Sequence, residues 1–137
     1  MQEEDLYFQQ LGWNQNQIIS QFSKNADYSI GIFEKNELIA FILGDLIFIE
    51  KVSEYEILFI YVKKTYRRKG LSNYLLNNNY IQKNKSNLKN IFLEVAKNKI
   101  PEMEMYKKNK FELLNIRKFY YLIYEKKIDA LCYRKII

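Results

Sequence analysis

The hexapeptide Arg67-Arg68-Lys69-Gly70-Leu71-Ser72 follows an almost unbroken apolar run, Ile57 to Val62, and precedes Tyr74, Leu75 and Leu76. The run reads as a strand buried on both faces, and the residues after it as the start of a helix with an apolar face. A strand, a basic turn and a helix start form a physical recipe for holding a pyrophosphate. The first N–H groups of a helix have no intrahelical partner, and the helix dipole adds positive potential there. Gly70 lets a phosphate approach the main chain with no Cβ in the way, and Arg67, Arg68 and Lys69 add side-chain charge. The same residues equally fit a basic helix start with a capping glycine and no ligand.

A second set of residues could move protons. Glu94 interrupts the apolar run Ile91-Phe92-Leu93-Glu94-Val95, and a carboxylate among apolar neighbours is costly to bury. Strand alternation puts Phe92 and Glu94 on one face, Leu93 and Val95 on the other. Desolvation by such neighbours is expected to raise the proton affinity of Glu94 toward neutral pH, where a carboxylate serves as a general base. Tyr106 lies on the helix expected after Pro101, and a phenol with a pKa near ~10 is suited to deliver a proton. Taken singly, Glu94 also fits a strand-end residue reaching solvent, and Tyr106 a core aromatic with a wet hydroxyl. Glu56 is a rival base, placed at the start of its strand where solvent is expected.

What must position these groups is one domain spanning residues 1–137, with 48% hydrophobic residues and no linker, repeat or low-complexity boundary. No apolar run approaches the ~20 residues of a membrane span, and no signal segment opens the chain. The single cysteine, Cys132, excludes an internal disulfide and fits a reducing, cytoplasmic compartment. Histidine is absent, which removes His-based triads and nearly every usual zinc site. Acid–base chemistry falls to Glu, Asp, Tyr or Lys, and no metal is expected. The net charge of +6 invites a nucleic-acid reading. The basic residues are scattered from Lys24 to Lys135 among acidic ones, so direct nucleic-acid binding is not required. Positive charge equally suits a polyanionic cofactor.

The pattern along the chain predicts two short N-terminal helices, over 3–11 and from Asn14 past Phe22. A strand Tyr28 to Phe33, a hairpin turn over 34–37 and a long strand Leu38 to Ile49 follow, with Gly44 marking a bulge. A polar interval, 50–55, leads to the buried strand, and the helix from Gly70 runs to about Lys85. Ile91 to Ala96 is the next strand, Pro101 opens a helix, and Phe111 to Ile116 and Leu122 to Tyr133 close the chain. This is an α/β order with a mixed sheet.

Arg67-Arg68-Lys69-Gly70-Leu71-Ser72 resembles the [QR]-x-x-G-x-[GA] signature of the GNAT acyl-CoA N-acyltransferases, with Ser72 in place of Gly or Ala. Over nearly the whole chain the sequence is similar to the bacterial ribosomal-protein alanine N-acetyltransferases (the RimI type) within that family. The matching residues are Glu56-Ile57-Leu58, Ile60, Val62, the basic hexapeptide, Phe92-Leu93-Glu94-Val95, Met105-Tyr106 and Phe111. Arg117-Lys118-Phe119-Tyr120-Tyr121, Asp129-Ala130-Leu131 and Trp13 continue the likeness. Lys99 stands where the family has a cofactor-contacting asparagine, and Lys110 where it has the glycine of an L-G-F turn.

The resemblance implies the GNAT fold, a mixed central sheet with two splayed strands flanked by helices. Its usual first strand has only Met1 to Asp5 available and is expected to be missing or very short. It implies acetyl-CoA as co-substrate, held by Ile60, Tyr61 and Val62 along the pantetheine arm, by Arg67 to Asn73 at the pyrophosphate, and by Lys99. Glu94 takes the role of general base and Tyr106 that of general acid, while Glu56, Arg117, Tyr120 and Tyr121 face the substrate. The implied reaction is acetyl transfer to a protein N-terminal amine, that of an N-terminal alanine on a small-subunit ribosomal protein, by direct attack in a ternary complex. The alternatives are a GNAT acting on another amine, or a non-catalytic acyl-CoA- or RNA-binding module.

Overall fold

The computed structural model describes residues 29–77 and 87–137, with isolated helical positions at 16, 17, 20 and 23. The expected first strand, the helix expected over 3–11, Trp13 and the far half of the helix toward Lys85 lie outside the described residues, and the helix expected from Asn14 is described only at those four positions. The strands are β1 (Ile30–Glu34), β2 (Glu37–Ile49), β3 (Val52–Val62), β4 (Leu88–Ala96), β5 (Glu112–Ile123) and β6 (Lys126–Ile136). A 3-10 turn, Lys64–Tyr66, and helix α1 (Leu71–Asn77) follow β3, and helix α2 (Ile100–Lys108) follows β4. The sheet runs β1-β2-β3-β4-β6-β5, and among the described strands only β3 and β4 pair in parallel. It is a mixed sheet with helices in the connections, which is the expected GNAT architecture.

The turns follow from local chemistry. Lys35 and Asn36 both adopt positive φ, 49° and 67°, the left-handed pair that a two-residue hairpin with the sheet's own twist requires. The polar interval expected at 50–55 is instead a tight turn followed by strand: β3 begins at Val52, and Tyr55 is fully buried. Val52-Ser53-Glu54-Tyr55-Glu56-Ile57 alternates with period 2, so its polarity marks a face of a strand and not a loop. The closing strands also differ. β5 runs through the segment expected as a break, 117–121, and the turn is at Tyr124-Glu125, again a positive-φ pair.

A bulge in β3 shapes the centre. Leu43 pairs with Phe59 and Gly44 with Ile57, leaving Leu58 as the extra residue. The insertion switches which face each side chain meets. Tyr55 and Ile57 lie in the main core, and beyond the bulge Val62, with Ile60 packed against it, takes over that role. Phe59 and Tyr61 point the other way, into a second cluster with Phe41 and Leu43. Gly44 sits at this point because a Cβ there would lie 1.8 Å from the Tyr55 hydroxyl; the Tyr55 ring occupies that space. The main core joins Leu75 and Leu76 of α1 to Tyr106 of α2 and to Leu131 and Tyr133 of β6, so both described helices share one face.

Candidate active site

β3 and β4 pair only from Ser53↔Leu88 to Ile57↔Leu93. Beyond the bulge β3 continues to Val62 and β4 to Ala96 without partners in each other, and the strands splay. A cavity of about 490 Å³ opens in this gap, lined on one wall by Leu58, Phe59, Ile60 and Val62 and on the other by Glu94, Val95 and Ala96. That volume is within the ~300–1,000 Å³ of small-molecule sites. The Lys63 N–H donates to Ile39 O on β2, 2.8 Å away. By alternation Phe59 and Tyr61 also turn their amides to β2, so Ile60 and Val62 direct theirs into the gap.

At one end the wall is the basic turn. Arg67, Arg68, Gly70, Leu71, Ser72 and Asn73 all line the cavity. Arg67 Nε donates to Val62 O, 2.9 Å, tying the turn to the end of β3. Gly70 has φ +78°, and nothing lies within 4 Å of where its Cβ would be. The glycine is thus required by backbone conformation, and the space above it is open to a ligand. Tyr74 N–H donates to Gly70 O at 2.9 Å, which starts α1 and leaves the preceding amides without helical partners.

Tyr106 closes the cavity from α2. It is 6% exposed, packed edge-on to Phe111 at 5.9 Å and against Tyr133 at 6.1 Å between ring centroids. The helix end is fixed by Asn109, whose amide donates to Asn73 Oδ1 at 2.7 Å and to Met105 O at 2.8 Å. This hydrogen bond links α2 to the basic turn's helix. Lys110, in the place of the family glycine, has φ +70°, a conformation a glycine would adopt without strain.

Glu94 is on the sheet face opposite the helices, as the alternation predicts, but the expected desolvation by apolar neighbours is not what it meets. Arg117 Nη1 donates to Glu94 Oε1 at 2.9 Å, and the Glu94 side chain is 30% exposed. The Glu94 carboxylate in turn holds the Arg117 guanidinium above its ordinary value. That guanidinium stacks on Tyr120, 3.7 Å from the ring centroid, and Tyr120 meets Tyr121 edge-on at 5.1 Å. Tyr121 lines the cavity; burial, with Glu94 and other neighbours, pushes its phenol well up. Glu56 is mid-strand and half-buried, not at a solvated strand start. Burial pushes its carboxyl up, as do the charges of Glu94 and Asp45. Cys132, opposite Glu94 on β6, has a thiol pushed up to about 11 by burial and by Glu94.

A family model for the GNAT acetyltransferases matches residues 2–111. The chain belongs to this family. GNAT enzymes are acetyl-CoA N-acetyltransferases, and this is the reaction class of the chain. The fold is similar to that of Arabidopsis thaliana Naa50 in complex with the bisubstrate analogue CoA-Ac-MVNAL, at 19% identity and TM-score 0.74, covering 98% of this chain and 94% of that one. It is similar to the Escherichia coli ribosomal-protein-S18-alanine N-acetyltransferase, at 19% identity and TM-score 0.76, covering 100% and 90%. Ard1 from Thermoplasma volcanium gives 18% and 0.77, covering 100% and 94%. No protein of curated function matches the sequence.

Within the GNAT fold, the residues expected from sequence divide into three groups. Ile60, Val62, Arg67, Arg68, Gly70, Leu71, Ser72, Asn73, Glu94, Lys99, Tyr106 and Tyr121 line one cavity. Arg117, which bonds to Glu94 and stacks on Tyr120, and Glu56, which feels the Glu94 charge, are not in the cavity lining. Tyr61 and Lys69 lie off the cavity. The Tyr61 side chain is in the second cluster, because the bulge reverses the facing of β3, and Lys69 Nζ sits over the Tyr66 ring at 5.3 Å. Sequence reasoning did not assign Tyr66 or Met105 to the cavity wall, nor Asp45 to the neighbourhood of Glu56. Asp45 could have been found by the signal that singled out Glu94, a carboxylate inside an apolar strand.

Proposed function

We propose that this GNAT domain, residues 1–137, transfers the acetyl group of acetyl-CoA to the N-terminal amine of a protein, with an alanine-first ribosomal protein of the small subunit as the favoured substrate. The observation that carries this reading is a cavity through the splay that has the basic turn at one end and both Glu94 and Tyr106 in its walls. The cavity also fits acetyl-CoA. Its open space over Gly70 suits a phosphate, and the inward amides of Ile60 and Val62 suit an extended amide-bearing arm. The peptide-bearing analogue held by Naa50, and the S18-alanine specificity of the E. coli enzyme, support a peptide N-terminus as acceptor. The enzyme is read as cytoplasmic; no described helix is long and apolar enough to cross a membrane.

Acetyl-CoA supplies an acetyl group activated as a thioester. The Arg67–Asn73 turn binds the diphosphate through main-chain N–H groups and basic side chains. The Val62 N–H, directed into the gap, stabilises negative charge developing on the carbonyl oxygen. Glu94, directly or through water, takes a proton from the acceptor amine, which attacks without a covalent enzyme intermediate. Tyr106 gives its proton to the departing sulfur. Arg117, Tyr120 and Tyr121 border the acceptor amine's approach.

The test is a panel of peptides that differ in their first residue, incubated with acetyl-CoA and read by mass spectrometry of the modified position. Acetylation confined to N-terminal amines, strongest for alanine-first sequences, is expected. Modification of lysine side chains alone, or of small amines alone, would replace this substrate reading. Salt-sensitive RNA binding with no CoA production would favour a non-catalytic module instead.

A further inference from the structure

We propose that Asp129 is a positioning residue for the acceptor side of the site, acting by pinning a wide bulge in β5 that keeps Tyr121 at the level of Arg117 and Glu94. The inference rests on the role given to Glu94 above. Arg117 pairs with Ala130 and Tyr121 with Ile128, so Lys118, Phe119 and Tyr120 together stand opposite Asp129 alone. The ladder thus carries two extra residues. An even insertion keeps side-chain parity, so Arg117 and Tyr121 stay on the same face, the one that carries Glu94. An unbulged ladder would put Phe119 opposite Ile128 and carry Tyr121 two residues, ~7 Å, further along the strand and away from Glu94.

Apolar packing does not hold this bulge. Phe119, at its tip, is 67% exposed and has φ +54°, a left-handed conformation unfavourable to a side chain of its size. The Asp129 carboxylate holds it instead. Oδ1 accepts the Phe119 N–H at 3.0 Å and Oδ2 accepts Lys118 Nζ at 3.2 Å. The Asp129 side chain is 12% exposed, and those bonds keep its carboxyl below the usual carboxylate range. Its main-chain carbonyl accepts the Lys97 N–H at 2.9 Å, just beyond the β4 wall that carries Glu94. One residue therefore joins the bulge to the strand that bears the proposed base, without reaching the cavity itself.

The experiment compares Asp129→Ala and Asp129→Asn with the wild-type chain, using the alanine-first peptide and acetyl-CoA as separately varied substrates. Asn retains an acceptor oxygen for the Phe119 N–H; Ala does not. In Asp129→Ala, kcat/KM for the peptide should fall at least tenfold while KM for acetyl-CoA and the melting increment given by CoA hold. Amide exchange at Phe119 should accelerate, and Asp129→Asn should restore most of both. If Asp129→Ala does not fold, Asp129→Glu, which displaces the carboxylate by one methylene, must show the same one-sided loss. Unchanged peptide kinetics, or a parallel loss for both substrates together with the CoA increment, would overturn the proposal in favour of a purely structural aspartate. An enzyme that acetylates a primary alkylamine but no peptide removes only the N-terminal substrate reading, and that amine then serves as the acceptor in the same comparison. If neither is acetylated, both the role of Glu94 and the positioning by Asp129 fall.

Discussion

The two sides of the splayed gap are built in opposite ways. The side read as holding acetyl-CoA runs continuously from Ile60 to Asn73, and its working groups are largely main-chain: inward amides on β3, a positive-φ glycine and the first turn of α1. The side read as receiving the amine is assembled from Glu56, Glu94, Arg117 and Tyr121, which come from three strands and act through side chains. A main-chain site survives most side-chain changes and is broken by a change in backbone freedom. A side-chain site responds to single substitutions and to strand register.

The largest expected effect is on the side-chain half. Glu94→Gln and Tyr106→Phe should each lower turnover by ~10²–10⁴, the usual contribution of a general acid or base, with CoA binding retained. Loss of the acidic limb of the rate profile in Glu94→Gln but not in Tyr106→Phe would separate the two roles. Should Glu56→Gln prove the more damaging and Glu94→Gln keep that limb, the base is on β3.

Gly70→Glu strikes the main-chain half. CoA at about a hundred times its Kd stabilises a protein by ~2.7 kcal/mol, and this increment should vanish in the variant, read by thermal melting. The apo protein should stay folded but melt lower, because a side chain at φ +78° costs roughly 1–2 kcal/mol. An undiminished CoA increment would place the diphosphate elsewhere and remove the contrast between the two halves.

Glu56 gives a smaller effect with a definite sign. Its folded pKa lies above the ordinary 4.5, so between those values the folded state binds more protons than the unfolded one. Stability therefore falls as pH rises through that window, and the ionised carboxylate is a constant penalty above it. Glu56→Gln should melt higher than wild type at neutral pH, and the gain should disappear below about pH 4. An equal difference at all pH values would mean that packing, not charge, separates the two proteins.

The smallest effect is expected at the α2 exit. Lys110→Gly should relieve the left-handed lysine and raise the melting temperature by ~2–5 °C, for roughly 1 kcal/mol. Turnover should stay near wild type, since Asn109 still anchors the helix to Asn73. A fall in turnover would show that the lysine itself contributes to the site.

The sequence by itself determined what is local. The basic turn, the apolar strand before it, the proline-led helix and the facing of Glu94 are each fixed by neighbours within a few residues, through helix-end chemistry and the period of a strand. Asp45, inside the apolar run Leu38–Ile49, carries the same signal as Glu94. The start of β3 has the composition of a loop because one face of the strand is polar, and only its pairing shows the period of 2. Only the tertiary structure decided the rest. The Leu58 bulge, set by pairing with β2, determines that Tyr61 leaves the site while Ile60 and Val62 enter it. The pairing of β5 with β6 brings Arg117 to Glu94, 23 residues away in the chain. Register between distant strands depends on which side chains bury together and on where extra residues are inserted, and a single insertion re-aims everything beyond it. Glu94 is therefore legible as a candidate base, whereas its pairing with Arg117 is not.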